Sequence, residues 1–259
     1  MEFQEKEELL HLAESAALLA GKYLVDLRKE WFSIQSASGH DLKIRADRES
    51  EKIILRCLSK SNISVFSEET GDVVAERKEQ KVNIDSGFYW IVDPLDGSLN
   101  YHQGIPLSCV SIALYNYTEP VLGVVFDFNS GDLYSGVMGG GAWLNHQPIR
   151  PSYVDKISKA VIGTGFPVNA DFSDVTLSRF IKEIQQFRKV RLLGSAALSL
   201  CYVACGRIDA YREERIMFWD VAAGLVLVKS AGGTVKADGF TQKSSPGNVI
   251  AANGLLEVL

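Results

Sequence analysis

The sequence predicts an α+β fold: a largely antiparallel sheet carrying N-terminal helices, followed by a smaller mixed α/β half. Three patterns carry that expectation. Apolar residues recur at helical spacing over the first thirty or so positions. Short β-rich runs between Ser108 and Leu144 are joined by connections suited to antiparallel pairing, and from Ala160 onward strands and helices alternate. With 259 residues, 46% of them hydrophobic, the chain can bury a substantial core as one large domain or two intimate halves. The change of rhythm near Pro151 divides it into residues 1–150 and 151–259.

The first helix is expected over Glu5 to Glu30, where Leu9, Leu10, Ala13, Ala16, Ala17, Ala20, Tyr23, Leu24 and Leu27 share one side and charges occupy the other. A Ser/Gly-rich turn, Ser36 to His40, leads to a second helix over Ala46 to Ser59, with Ile53, Ile54, Cys57 and Leu58 on one face. Asp47 stands at its expected start, where an acid interacts favourably with the helix dipole. "ISVF" at Ile63 to Phe66 reads as a short strand ending in Ser67-Glu68-Glu69-Thr70. An acidic pair after a strand is either a solvated loop or a pair of ligands, and both readings stay open. Gly71 to Asp85 is polar and weakly patterned, a surface excursion placed where it could close over a site.

Trp90 to Tyr101, "WIVDPLDGSLNY", is the stretch around which the chain is organised. Tyr89 to Val92 is an unbroken apolar run suited to a strand buried on both faces, and it ends at Asp93. Pro94 disfavours helix at Asp93 and removes a backbone donor, which predicts a tight loop over Asp93-Pro94-Leu95-Asp96 bringing both acids to one point. Gly97 permits close approach to the backbone, and Ser98 suits the first residue of a short helix whose free N–H groups face an anion. Asp-Pro and Asp-Gly are also ordinary turn formers. If the acids are ligands, the oxygen-only donor set suits Mg²⁺ better than zinc or iron.

Strands follow over Ser108 to Tyr115, Val121 to Phe128, Leu133 to Val137 and Ala142 to Leu144. Gly139-Gly140-Gly141 lacks the GK[ST] of a phosphate loop and reads as a hairpin or bulge, and the "GTG" at Gly163 to Gly165 is too short for a dinucleotide fingerprint. Then come a strand at Ala160 to Gly163, a helix at Val175 to Phe187, a strand at Val190 to Leu193, a helix at Ala196 to Ala204 and a strand at Ile208 to Tyr211. Ser195 suits an N-cap. Trp219-Asp220 precedes Val221 to Ser230, apolar all round and therefore a buried helix, with Asp220 in a capping position. Thr234 to Lys236 and Val249 to Ala252 are the last strands.

A formal charge of −5 argues against nucleic-acid binding through bulk electrostatics. Met1 to Glu8 is rich in Glu and leads into no apolar signal core, and no window approaches a membrane span, so a cytoplasmic protein without membrane contact is expected. Cys57, Cys109, Cys201 and Cys205 lack CxxC spacing and sit among apolar neighbours, as free thiols would.

Glu68, Asp93, Asp96 and Asp220 all end a strand or open a helix, the positions at which loops gather along one sheet edge. "WIVDPLDGSLNY" resembles the WxxDPxDGTxNF signature of the inositol monophosphatase family, and "WDVAAG" at Trp219 to Gly224 resembles its second signature. "SEET" at Ser67 is similar to the family's metal-binding Glu-Glu, and "LLGSAAL" at Leu192 to its substrate-side GSxA turn. The resemblance runs from about Asp41 to Asn253. It implies a layered αβαβα sandwich, commonly a homodimer, acting on a small phosphorylated polyol or sugar.

By the same resemblance Glu68, Asp93 and the Leu95 carbonyl bind a first Mg²⁺, Asp93, Asp96 and Asp220 a second, and a loosely held third lies near Glu68. Gly97 and Ser98 contact phosphate, while Gly194, Ser195, Ala196, Glu213 and Asp220 face the alcohol portion. Asp47, Glu68 and Ser98 take catalytic parts, with Ser98 and Asp47 orienting and deprotonating the attacking water. Lithium inhibition is implied as well. This chain departs from the signature in carrying Ser98 for Thr, which keeps the hydroxyl, and Tyr101 for Phe, which is expected to be structural. Inositol 1-phosphate is the favoured substrate. Fructose-1,6-bisphosphatase, nucleotide 3′-phosphatase and a non-catalytic regulatory module are the alternatives; Leu99-Asn100, where the 3′-phosphatases carry Lys-Glu, lowers the second.

Overall fold

The helical and alternating patterns become two sheets and three helical layers in a computed structural model, which describes residues 3–33, 39–73, 87–166, 172–240 and 245–257. Helices α1 (Phe3–Ser33) and α2 (Gly39–Leu58) precede β1 (Ser64–Ser67), β2 (Gly71–Val73) and β3 (Phe88–Asp96). After the short helix α3 (Ser98–Gln103) come β4 (Cys109–Asn116), β5 (Glu119–Asp127), β6 (Asp132–Val137), β7 (Gly141–Leu144) and β8 (Gln147–Pro148). These strands form one eight-stranded sheet in the order β2-β1-β3-β4-β5-β6-β7-β8. All its pairings are antiparallel except β1 with β3, where Ser67 lies opposite Val92.

The remaining elements are β9 (Val161–Thr164), α4 (Asp174–Ile184), β10 (Lys189–Arg191), α5 (Ala196–Ala204), β11 (Ala210–Ile216), α6 (Phe218–Ser230), β12 (Thr234–Asp238) and β13 (Gly247–Ala252). Their strands make a five-stranded mixed sheet, β10-β9-β11-β13-β12, parallel on one side of β11 and antiparallel on the other.

The layers follow from which faces are apolar. The alanine stripe of α1 (Ala13, Ala16, Ala17, Ala20) is buried with Trp90, Ile112 and Leu122, so small side chains let the helix lie close against the first sheet. Helices α5 and α6, apolar on every side, fill the space between the sheets and share one cluster with Tyr115, Val125, Tyr211 and Val249. Helix α4 lies over the outer face of the second sheet, completing the αβαβα order. Buried phenols find partners: Tyr101 donates to the Leu24 carbonyl at 2.7 Å and Tyr115 to the Ala222 carbonyl at 3.1 Å. The Tyr101 contact is one that phenylalanine lacks. All four cysteines are free, with Cys109 and Cys201 buried. Among the described residues no helix is long and apolar enough to cross a membrane.

Several boundaries differ from the sequence reading. Helix α2 begins at Gly39, because no breaker stands between there and Ala46; Asp47 is therefore inside the helix, and the dipole explanation does not apply to it. Gly39 and His40 belong to this helix, and residues 34–38 of the expected turn lie outside the described residues. Of the expected excursion at Gly71 to Asp85, the first residues form β2 against β1, and 74–86 lie outside the described residues. The 93–96 segment is strand, not loop. Asp93 pairs opposite Ser111 and Asp96 opposite Cys109, so β3 carries one extra residue, and Pro94 sits in that bulge, where a missing N–H is tolerated.

The α5–α6 crossing depends on Gly224. A Cβ there would lie 2.4 Å from the Leu200 Cβ. Alanine gains about 1 kcal/mol of helix propensity, but forcing the helices apart costs about 1–3 kcal/mol, so Gly224→Ala is expected to destabilise the protein by up to about 2 kcal/mol. Urea unfolding checks this, and a variant more stable than the parent would contradict the packing described.

Candidate active site

Three chain segments leave their elements at one edge. The Glu68 N–H donates to the Val92 carbonyl at 3.1 Å, extending the β1–β3 pairing and setting Glu68 beside Asp93. Asp220 arrives from the first turn of α6, as its third residue. One carboxylate oxygen each from Glu68, Asp93 and Asp220 lies within 4.8 Å of the others; Asp93 is buried, Asp220 half-buried and Glu68 exposed. Asp220 is not the N-cap. That position is Met217, whose backbone N–H helps to hold the Asp220 carboxylate.

The bulge in β3 aims the second acid elsewhere. The Ser50 hydroxyl donates to the Pro94 carbonyl at 2.8 Å, and the Leu95 N–H to Asp93 Oδ1 at 3.0 Å, holding the bulge against α2. Asp96 Oδ2 accepts from the Ser195 hydroxyl, from the Ala197 N–H at 3.0 Å and from the Cys109 thiol at 3.6 Å. Asp96 thus ties β3 to the N-terminus of α5 and stands outside the close trio. Ser195 does two things at once, since its oxygen also accepts the Leu198 N–H at 3.2 Å as the α5 cap.

Gly97 holds φ 77, and a Cβ there would come within 2.7 Å of the Leu107 carbonyl oxygen. The Asn100 amide donates to the carbonyls of Leu107 and Leu193, both at 2.8 Å, clamping α3 to the turn at Gly194.

These residues face a cavity of about 460 Å³ lined by Glu68, Asp93, Leu95, Asp96, Gly97, Ser98, Gly194, Ser195, Ala196, Glu213 and Asp220. Asp47 does not line it. It is buried on α2, one turn before Ser50. The sequence reading missed Asn100, Thr164, Gly165, Phe166, Ile216 and Met217. The glycine at the end of "GTG" was visible in the sequence, but its purpose is seen only in the structure: a Cβ at Gly165 would fall 2.3 Å from Glu213 Oε2, so the glycine makes room for that carboxyl. A larger cavity, about 560 Å³, lies beneath α4; it shares Thr164, Gly165, Phe166, Glu213 and Arg215 with the first but includes none of the trio.

Burial and mutual repulsion dominate the electrostatics. Desolvation, then the charges of Glu68, Asp96 and Asp220, push the Asp93 carboxyl well above its usual range. Asp220 is raised well above its own, first by burial and then by Asp96 and Glu68. Asp96 is also raised by burial, an effect that the bonds from Ser195, Ala197 and Cys109 oppose. Burial lifts Glu213 to about 7, against the bond that the Tyr211 hydroxyl donates at 2.7 Å. Neighbouring carboxylates with only oxygen donors and too few cations fit a hard divalent ion.

A sheet edge that gathers acids beside helix N-termini is the arrangement of a metal-dependent phosphomonoesterase, cations and N–H groups together receiving an anionic ester. The inositol monophosphatase family profile matches residues 5–257, and the chain belongs to that family. It is 38% identical over 258 residues to an inositol-1-monophosphatase of Mesorhizobium japonicum, covering 97% of this chain and 94% of the relative. It is 34% identical over 255 residues to the Nus factor SuhB of Haemophilus influenzae, covering 94% and 91%. Among solved structures, the extragenic suppressor protein suhB of Bartonella henselae superposes with a TM-score of 0.80 at 33% identity, covering 96% of this chain and 95% of that one. The inositol monophosphatase of Anabaena gives 0.78 at 32%, covering 96% and 92%.

The raised carboxyls make metal-free stability depend on pH. Each folded value exceeds the unfolded one, so these groups stabilise the fold below about pH 4 and lose that contribution as pH rises, through about 7 for Glu213. In chelator the urea midpoint is expected to be lower at about pH 8 than at about pH 5.5, and Mg²⁺ at the higher pH is expected to restore it. A chelated midpoint that rises between those values would refute the like-charge description.

Proposed function

We propose that the chain hydrolyses a small phosphate monoester with Mg²⁺, inositol 1-phosphate foremost. The observation that carries this reading is the convergence of Glu68, Asp93 and Asp220 in a cavity that also exposes the starts of α3 and α5. Glu68, Asp93 and the Leu95 carbonyl would hold one ion; Asp93, Asp96 and Asp220 would hold a second. Bound there, divalent ions lower the pKa of water and offset charge on the phosphate and the departing alkoxide.

The protein's own groups position the rest. Gly97 and Ser98 present backbone N–H groups to phosphate oxygens, while Ala196 faces the alcohol portion. The Ser98 hydroxyl orients the attacking water, assisted by Glu68 at the solvent side of the trio. Asp47, buried outside the cavity, acts as a positioning residue for this machinery. Gly194 and Ser195 border the alcohol portion, and Glu213, steadied by Tyr211, accepts hydrogen bonds from polyol hydroxyls.

Retention of every acid argues for an enzyme over a non-catalytic module on the same scaffold. Exposed Leu99, Ile105 and Leu192, carried near the α3–Gly194 junction, suit the burial surface of a homodimer. A cytoplasmic setting accords with the unpaired thiols.

Phosphate release from inositol 1-phosphate, fructose 1,6-bisphosphate and 3′-phosphoadenosine 5′-phosphate tests the substrate. Inositol 1-phosphate is expected to give the highest Mg²⁺-dependent kcat/KM, and lithium is expected to inhibit; no release from any substrate would defeat the reading. Asp93→Asn is expected to cut turnover by at least about a hundredfold. The metal-free variant should be no less stable than the parent, because one repelling charge is gone. Full activity in that variant would remove Asp93 from the metal site.

A further inference from the structure

Three hydrogen bonds converge on a single oxygen of Asp96. Its Oδ2 accepts from the Ser195 hydroxyl, from the Ala197 N–H at 3.0 Å and from the Cys109 thiol at 3.6 Å. None of these bonds engages Oδ1, and the side chain borders the active-site cavity. The side-chain donors come from both halves of the molecule. Cys109 opens β4 and lies directly opposite Asp96 in the β3–β4 pairing, whereas Ser195 caps α5. Their Sγ and Oγ atoms are 3.9 Å apart, so the three side chains form one closed cluster.

A carboxylate gripped in this way cannot exchange its oxygens. Rotation about the Cβ–Cγ bond would break all three bonds at once, and buried groups left without partners are costly. The constraint matters because Asp96 stands outside the close trio of Glu68, Asp93 and Asp220. From there it can share a cation with them only through an oxygen aimed in a fixed direction, and partners behind a ligand supply that aim. The single proton of the Ser195 hydroxyl goes to Asp96, while its oxygen accepts the Leu198 N–H at 3.2 Å. That proton is therefore not offered to a substrate.

We propose that Ser195 and Cys109 are positioning residues for cation binding: they pin one oxygen of Asp96 so that the other meets Mg²⁺ at the second position, and they thereby set the affinity of that position. The assignment rests on the metal ligands of the phosphatase reading above. Cys109 is wholly buried and forms no part of the cavity wall, so its influence on a bound ion passes through Asp96.

The test measures Mg²⁺ binding to the full chain by calorimetry without substrate, so that this assignment and the phosphatase reading can fail separately. Ser195→Gly removes the hydroxyl while leaving α5 a tolerable cap, Cys109→Ala removes the thiol, and thermal unfolding checks that both variants fold. Mg²⁺ binding is expected to weaken at least about tenfold in Ser195→Gly and at least about threefold in Cys109→Ala; Ser195→Thr and Cys109→Ser, which keep a donor, should lie closer to the parent. At saturating Mg²⁺ the KM for inositol 1-phosphate should stay within about threefold of the parent value. Unchanged Mg²⁺ affinity in both Ser195→Gly and Cys109→Ala would overturn the assignment. So would a KM that rises in Ser195→Gly while Mg²⁺ affinity holds, because the hydroxyl would then serve the substrate. A parent protein that binds Mg²⁺ but releases no phosphate would overturn the phosphatase reading alone; one that binds no Mg²⁺ would overturn both.

Discussion

Carboxylates that repel one another are forced together where β1, β3 and α6 meet, and much of the architecture serves to keep them there. Asp93 is buried and Asp220 half-buried; the charge of Asp220 helps to push Asp93 up, and those of Asp96 and Glu68 push Asp220 up. Such a cluster opposes folding unless cations occupy it, which couples the stability of this edge to the ligand it binds. Nearby N–H groups of Leu95 and Met217 steady Asp93 and Asp220, but contacts distant in sequence bring the acids together. Strand pairing sets Glu68 beside Asp93, and the packing of α6 between two sheets delivers Asp220.

Asp96 shows how the two sheets are joined. One of its oxygens is occupied by Ser195 and the first N–H groups of α5, so a residue of the first sheet holds the start of a helix packed against the second. Asn100 adds a second tie through the Leu193 carbonyl. The cavity therefore lies at the junction of the halves, and relative movement of the sheets would change its shape. A site bridging two layers draws rigidity from both cores.

On the proposed function, different residues would read different parts of a substrate. The phosphate end would meet N–H groups and the acid trio, where charge decides. The alcohol end would meet Glu213, whose carboxyl has room because residue 165 is glycine. Changes in β11 and the turn after β9 can retune the alcohol portion while the acid trio stays intact, which is how relatives with one chemistry can diverge in substrate.

Periodicity along the sequence determined which segments are helices and strands: the alanine stripe of α1, the all-apolar α6 and the short strands from Cys109 to Leu144 are local patterns and needed no partners. The "DPLDG" and "WDVAAG" motifs likewise marked Asp93, Asp96 and Asp220 without coordinates. Tertiary structure alone decided that Pro94 lies in a bulged strand, that Asp47 sits inside α2 and away from the cavity, and that Asp96 turns to α5 while Glu68 joins Asp93 and Asp220. It also decided the place of Asn100. A hydrophobic period encodes which face is buried but not what it is buried against, and a carboxylate acquires its partners only when segments distant in sequence pack side by side.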